Sequence, residues 1–228
     1  MKLRKSRKSR ELKLGTKLVN TQEIHSLRKT GEISRAEFPD LLSGTHLPGP
    51  MCMKKLSQIG VLDQLTVNTG YYHKTANSMQ GRSNIVSNFI PTESIACLFT
   101  AAWVWIGGNF PENIDVIDYG HRRSKPHGHT IRAFRRHLEN AEYVKLGKIR
   151  ITTPERTICD LAYTPGNDEQ YEPYRKHVAH LLISRYCVDL RKCEEIIDGN
   201  PYFPGSIHAR QWLLNITEEA KTLCKKTY

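Results

Sequence analysis

The 228-residue chain is 39% hydrophobic and 25% charged, which supplies a packed core and excludes a mainly disordered polymer. Its 34 Lys/Arg against 23 Asp/Glu give a net charge of +11, and no apolar run reaches the ~20 residues of a membrane-spanning helix. No apolar segment follows the charged N-terminus, and none of the six cysteines forms a Cys-x-x-Cys pair, so a cytoplasmic protein with reduced thiols and no membrane partner is expected.

Residues 1–17 hold eight Lys/Arg against one Glu, so most of the charge excess sits in a basic arm. Such an arm on a near-neutral body suits a polyanion, because each cation placed on a phosphate releases counterions. Lys2, Arg4, Lys5, Arg7, Lys8 and Arg10 are its candidate DNA contacts. The segment 18–75 then reads as three short helices and a hairpin. The first helix, 21–31, stops at Gly31, and the second, 34–42, opens with Ser34 and Glu37 at capping-box spacing. The third, 50–60, aligns Met53, Leu56 and Ile59 on one face between Pro50 and Gly60. Val61, Leu65 and Val67 alternate into an expected Asn68-Thr69-Gly70 turn followed by Tyr71 and Tyr72. That order is the layout of a winged helix, whose third helix enters the major groove while the wing touches the backbone. Lys54, Lys55, Ser57, Gln58 and Asn68 are therefore the DNA-reading candidates.

Residues 76–90 show Asn, Ser and Gly without a period and are expected as a linker. A central unit over 91–165 follows: an apolar helix with Pro91 and Glu93 in its first turn, then strands at 112–119, 130–136, 142–146 and 148–153, then a helix at 154–163. After the break "YTPGNDEQ", 166–228 reads as helices. The expected class is α+β: an N-terminal winged helix-turn-helix, a small central mixed α/β domain and C-terminal helices.

The residues supply little catalytic chemistry. An acidic-x-Lys pair, which a metal-dependent nuclease needs on a sheet strand, occurs only at Glu11–Lys13 and Glu219–Lys221, off the expected strands. Glu142 and Lys145 are three apart and point to opposite faces of a strand. His121, His127, His129 and His137 surround one loop without a nearby Cys, and His177 and His180 lack a paired carboxylate, so neither set has zinc spacing. Neither a phosphate-cradling glycine loop nor a hydrolase elbow is present, and no catalytic residue, metal or cofactor is expected. The loop and strand 119–137 carry six Lys/Arg and no acid: Arg122, Arg123, Lys125, Arg132, Arg135 and Arg136 form a second basic patch for a phosphate or an acidic partner.

The stretch "ITTPERTICDLA" at 151–162 joins the last strand to its helix. Thr152 or Thr153 can cap that helix, Pro154 fits its first turn, and Glu155 faces the positive end of the dipole. Arg156 and Asp160, four apart, can pair across one turn while Ile158 and Leu161 pack inward. Cys159 on that stripe reads as a small core residue.

Three segments, "PTESIACLFTAAWVWIGG", "IDVIDYGHRRSKPHGHTIRAFRR" and "VKLGKIRITTPERTICDLAY", together resemble the AbiEi-type antitoxin family of abortive-infection toxin–antitoxin systems. The closest correspondence is the motif Thr153-Pro154-Glu155-Arg156-Thr157-Ile158-Cys159-Asp160-Leu161-Ala162, and the resemblance covers about 90–228. It implies a non-enzymatic protein whose winged helix binds an operator in double-stranded DNA and represses its own operon. Its C-terminal part would counter a nucleotidyltransferase-like toxin of AbiEii type. Two other readings stay open: an interaction adaptor that docks an acidic partner on 119–137, and a degenerate nuclease-related protein.

Overall fold

The computed structural model describes residues 39–48, 50–120, 125–164 and 171–226. All but one of the described residues fall in one compact unit of the chain, Asp40–Tyr228, the second of two into which it divides. The basic arm and the first two expected helices up to residue 38 lie outside the described residues, as do Arg122 and Arg123.

The second unit is α+β, with seven α-helices and two sheets among its described residues. Its first part contains β1 (Leu42–Ser43), α1 (Pro50–Gln58), β2 (Leu62–Gln64) and β3 (Thr69–Tyr72), with sheet order β1-β3-β2, all antiparallel. Leu42 was expected to close the second helix; it sits instead in a strand paired with Gly70. The hairpin turn also falls earlier than expected. Leu65 and Thr66 donate backbone N–H groups to Thr69, which leaves Thr69 and Gly70 inside β3. Glycine is required at 70 by close approach: a Cβ there would lie 2.8 Å from the Asp63 carbonyl oxygen and 3.3 Å from Met53 Sδ. Met53 is thus seated against the strand, and with Leu42 and Leu62 it forms a small core of its own.

Residues 76–90 are not a linker. They hold α2 (Met79–Ser87), capped by Ser78 Oγ accepting from Gly81 N, and α2 buries Gly81, Arg82, Ser83, Ile85 and Val86. The Arg82 guanidinium donates to the carbonyls of Ala76, Val104 and Trp105, two of them in the next helix. The expected apolar helix also begins later. Pro91 and Glu93 precede β4 (Ile95–Ala96), and only then does α3 (Leu98–Ile106) start, entered through Leu98 with φ 48°.

Then come β5 (Asn113–Ile117), β6 (Thr130–Phe134), β7 (Tyr143–Leu146) and β8 (Ile149–Thr152). The five-stranded order is β6-β5-β4-β8-β7, with β4/β8 and β5/β6 parallel and the other pairs antiparallel. The two-residue β4 therefore occupies the centre of the sheet. Four helices complete the unit: α4 (Pro154–Ala162), α5 (Tyr171–Tyr186), α6 (Leu190–Asp198) and α7 (Ser206–Lys226). Helix α4 is buried from Arg156 to Ala162, and one continuous core runs from Leu41 and Tyr71 through the sheet to Ile216.

Candidate nucleic-acid interface

Helix α1 has two unlike sides. Met53 is fully buried and Leu56 half-buried against the small sheet, while Lys54, Lys55 and Gln58 are exposed and Ser57 is half-buried. Ile59, expected on the inner face, lies beyond the last helical residue and is 71% exposed. Asn68 is exposed at the hairpin end, where its carbonyl accepts from Gly44 N at 2.8 Å and its own N–H reaches Thr66 Oγ1 at 3.3 Å. Two lysines and an amide on one helix, and an exposed turn with a polar tip on the hairpin that follows it, can meet phosphates and base edges. Val67, exposed on the same turn, adds an apolar contact.

Beneath the hairpin lies a cavity of about 640 Å³, bordered by Asp63, Tyr71, His73, Phe110, Glu112 and His129 among others. His73 Nδ1 and Asp63 Oδ2 are 3.0 Å apart. Burial, then the nearby Asp63 charge, pushes the Tyr71 phenol well above its ordinary value, so it stays protonated.

The second basic patch separates into unlike parts. Lys125 and Arg135 are exposed. Arg132 donates through Nε to Asp115 at 2.7 Å, and that hydrogen bond to the carboxylate raises the arginine's pKa despite partial burial. Arg136, expected on the contact face, is 8% exposed and turns inward. It donates to Asp160 Oδ1 at 2.5 Å and lies 5.1 to 5.7 Å from the rings of Phe134, Tyr163 and Phe203. Arg136 is therefore part of the core and unavailable to a surface partner.

The joint at 151–162 is resolved in detail. Thr153 is the cap, its Oγ1 accepting from Arg156 N at 3.2 Å, with Pro154 in the first turn. Thr152 faces the other way and shares a buried hydroxyl contact of 2.8 Å with Thr157. Arg156 donates to Asp160 Oδ1 at 3.1 Å and to both oxygens of Glu142 at 3.1 Å. Glu142 escaped the sequence reading as a member of this network because it lies on a different element. Cys159 is fully buried, and burial followed by its contact with Cys193 pushes its thiol well up, which disfavours a nucleophilic thiolate.

Among the described residues no three His, Cys, Asp or Glu side chains converge as a metal site, and no helix is long and apolar enough to cross a membrane. Glu219, part of the second acidic-x-Lys pair, lies on α7 and contacts Lys176 at 2.5 Å and His180 at 3.1 Å, so His180, expected without a carboxylate partner, has one from a distant helix. The fold and surface thus define an α+β protein with a basic helix and hairpin exposed beside a larger mixed sheet. In comparison with known proteins, no family model matches the chain, and neither does any curated protein.

Proposed function

We propose that this protein is a DNA-binding regulator of antitoxin type, which represses its own operon and counters a nucleotidyltransferase-like toxin, and which performs no catalysis itself. The DNA-binding half is supported chiefly by helix α1, which seats Met53 on the small sheet and turns Lys54, Lys55 and Gln58 to solvent, with Asn68 also exposed on the hairpin that follows it. The helix and the strands around it are ordered as the last helix and wing of a winged helix would be. The basic arm supplies further cations in the same third of the chain. The antitoxin half rests on the resemblance of the Thr153–Ala162 motif to the AbiEi type.

The test uses the full chain, because Tyr71 belongs to the main core and removing 1–75 would strip it. In a gel shift on the protein's own promoter, Lys54→Ala/Lys55→Ala is expected to weaken binding about tenfold and to flatten its salt dependence. Unchanged affinity in that variant sinks the assignment of α1 as the reading helix. For the antitoxin half, co-expression with an adjacent nucleotidyltransferase gene should restore growth, and persistent growth arrest overturns it.

A further inference from the structure

We propose that a pocket formed by α3, β5, β6 and the beginning of α5 binds a single nucleobase, stacked on Tyr174 and held at its edge by Arg132 and Asp115. The cavity measures about 190 Å³, below the usual range for drug-sized ligands and suited to one flat ring.

Its floor is Asp115, whose side chain is fully buried. The backbone is fixed there by Asp115 N donating to Thr100 Oγ1 at 2.7 Å. The carboxylate accepts from Arg132 Nε at Oδ1 and is also favoured by the Phe99 backbone N–H, but Oδ2 is shut away from solvent without a hydrogen-bond partner of normal geometry. A buried, unpaired carboxylate oxygen is costly, and a donor brought to it recovers that cost. Arg132 forms the partly open side of the wall: its side chain is 42% exposed and its Nε is anchored on Asp115.

The aromatic side is also built. Phe99, 6% exposed, backs the Tyr174 ring at 5.5 Å and 18°, which holds that ring flat while leaving Tyr174 45% exposed. Tyr171 stands edge-on to Phe99 at 5.3 Å.

The chemistry selects the ligand class. With Asp115 offset by Arg132, Glu112 leaves the lining net negative, so a phosphate group inside it would be repelled. Arg132 already neutralises Asp115, so a simple ammonium ligand gains little. What remains favourable is a neutral planar ring with a donor beside an acceptor: an N–H toward Asp115 Oδ2 and a carbonyl or ring nitrogen toward Arg132. Nucleobases have that edge, and their faces stack on tyrosine. The base can come from a free nucleotide or from an unpaired position in a strand.

A single-stranded DNA oligonucleotide carrying one 2-aminopurine is titrated with the full chain, and quenching reports stacking. Saturable quenching is expected, weakened roughly tenfold or more by Tyr174→Ala and retained by Tyr174→Phe. An abasic strand of equal length and charge corrects for backbone contacts by the basic arm. Competition by AMP, CMP, GMP or UMP supports a free nucleotide as ligand; quenching without competition supports an unpaired base. Absence of saturable quenching, or Tyr174→Ala binding as the parent does, overturns the proposal. Tyr174 is partly exposed and lies outside the DNA-binding helix, so its substitution leaves the promoter gel shift intact, and failure here is separable from failure of the operator reading.

Discussion

Two guanidinium groups converge on one buried oxygen, since Arg136 and Arg156 both donate to Asp160 Oδ1. Glu142 supplies the second negative charge, so the buried quartet is balanced. Asp160→Ala would leave two buried cations facing one carboxylate, and it is expected to cost about 3–5 kcal/mol, read as a lowered urea midpoint with an unchanged slope. An exposed ion pair would cost under about 1 kcal/mol, so the magnitude itself reports burial. Only part of this quartet was legible in the sequence. Arg156 and Asp160 are four apart on one helix, a local spacing, whereas Arg136 and Glu142 reach the site from 24 and 14 residues away. Asp115 gives a second expectation. Burial raises its pKa, only partly opposed by Arg132, so the folded state binds this proton more readily than the unfolded state does. Stability should then fall as pH rises from the ordinary carboxylate range to the raised folded value, and level off above it. Asp115→Asn removes that slope, which denaturation at a series of pH values measures; an identical slope in the variant refutes the assignment.

At the scale of elements, the least legible segments are those whose packing does not show as a hydrophobic period. Helix α2 looks like a linker because three of its five buried residues are Gly81, Arg82 and Ser83. Its burial is arranged by hydrogen bonds: Arg82 satisfies carbonyls at the end of α3, and burial lowers the arginine's pKa without removing those contacts. A Cβ at Gly81 would fall 1.9 Å from the Thr75 carbonyl oxygen, a backbone atom with little freedom to yield. Gly81→Ala is therefore expected to destabilise the protein by upwards of about 2 kcal/mol, with a lower melting temperature, whereas a flexible linker would tolerate it. The central strand β4 was illegible for a related reason. Two residues cannot display an alternation, and its apolar character merges with that of α3 immediately after it. The strands with their own period, β5 to β8, lie within the ranges expected of them. Helix α1 was legible on its buried side at Met53 and on its exposed side at Lys54, Lys55 and Gln58. It misled at Ser57, which is half-buried, and at Ile59, where the helix stops short of the expected Gly60.

The charge of the whole molecule allows two separate contributions to DNA binding to be resolved. The arm, residues 1–17, holds eight of the 34 Lys/Arg, and the exposed face of α1 holds two. Each phosphate neutralised contributes about −0.9 to the slope of log K against log salt, so an arm engaging several phosphates dominates that slope. Phosphate contacts carry no sequence information, whereas side chains on a helix in the major groove do. Deleting residues 2–10, which removes Lys2, Arg4, Lys5, Arg7, Lys8 and Arg10, should flatten the salt dependence by several units. It should also weaken binding to promoter and unrelated duplex alike, so their affinity ratio is preserved. Gln58→Ala should do the reverse, lowering the ratio by about 1–3 kcal/mol of discrimination at one base position with little change in slope. The two outcomes are read in one set of fluorescence-anisotropy titrations across salt concentrations. A promoter preference that vanishes with the arm and ignores Gln58 would place recognition outside α1. In that event the exposed lysines of α1 act only as phosphate contacts, and the specificity must lie in another part of the chain.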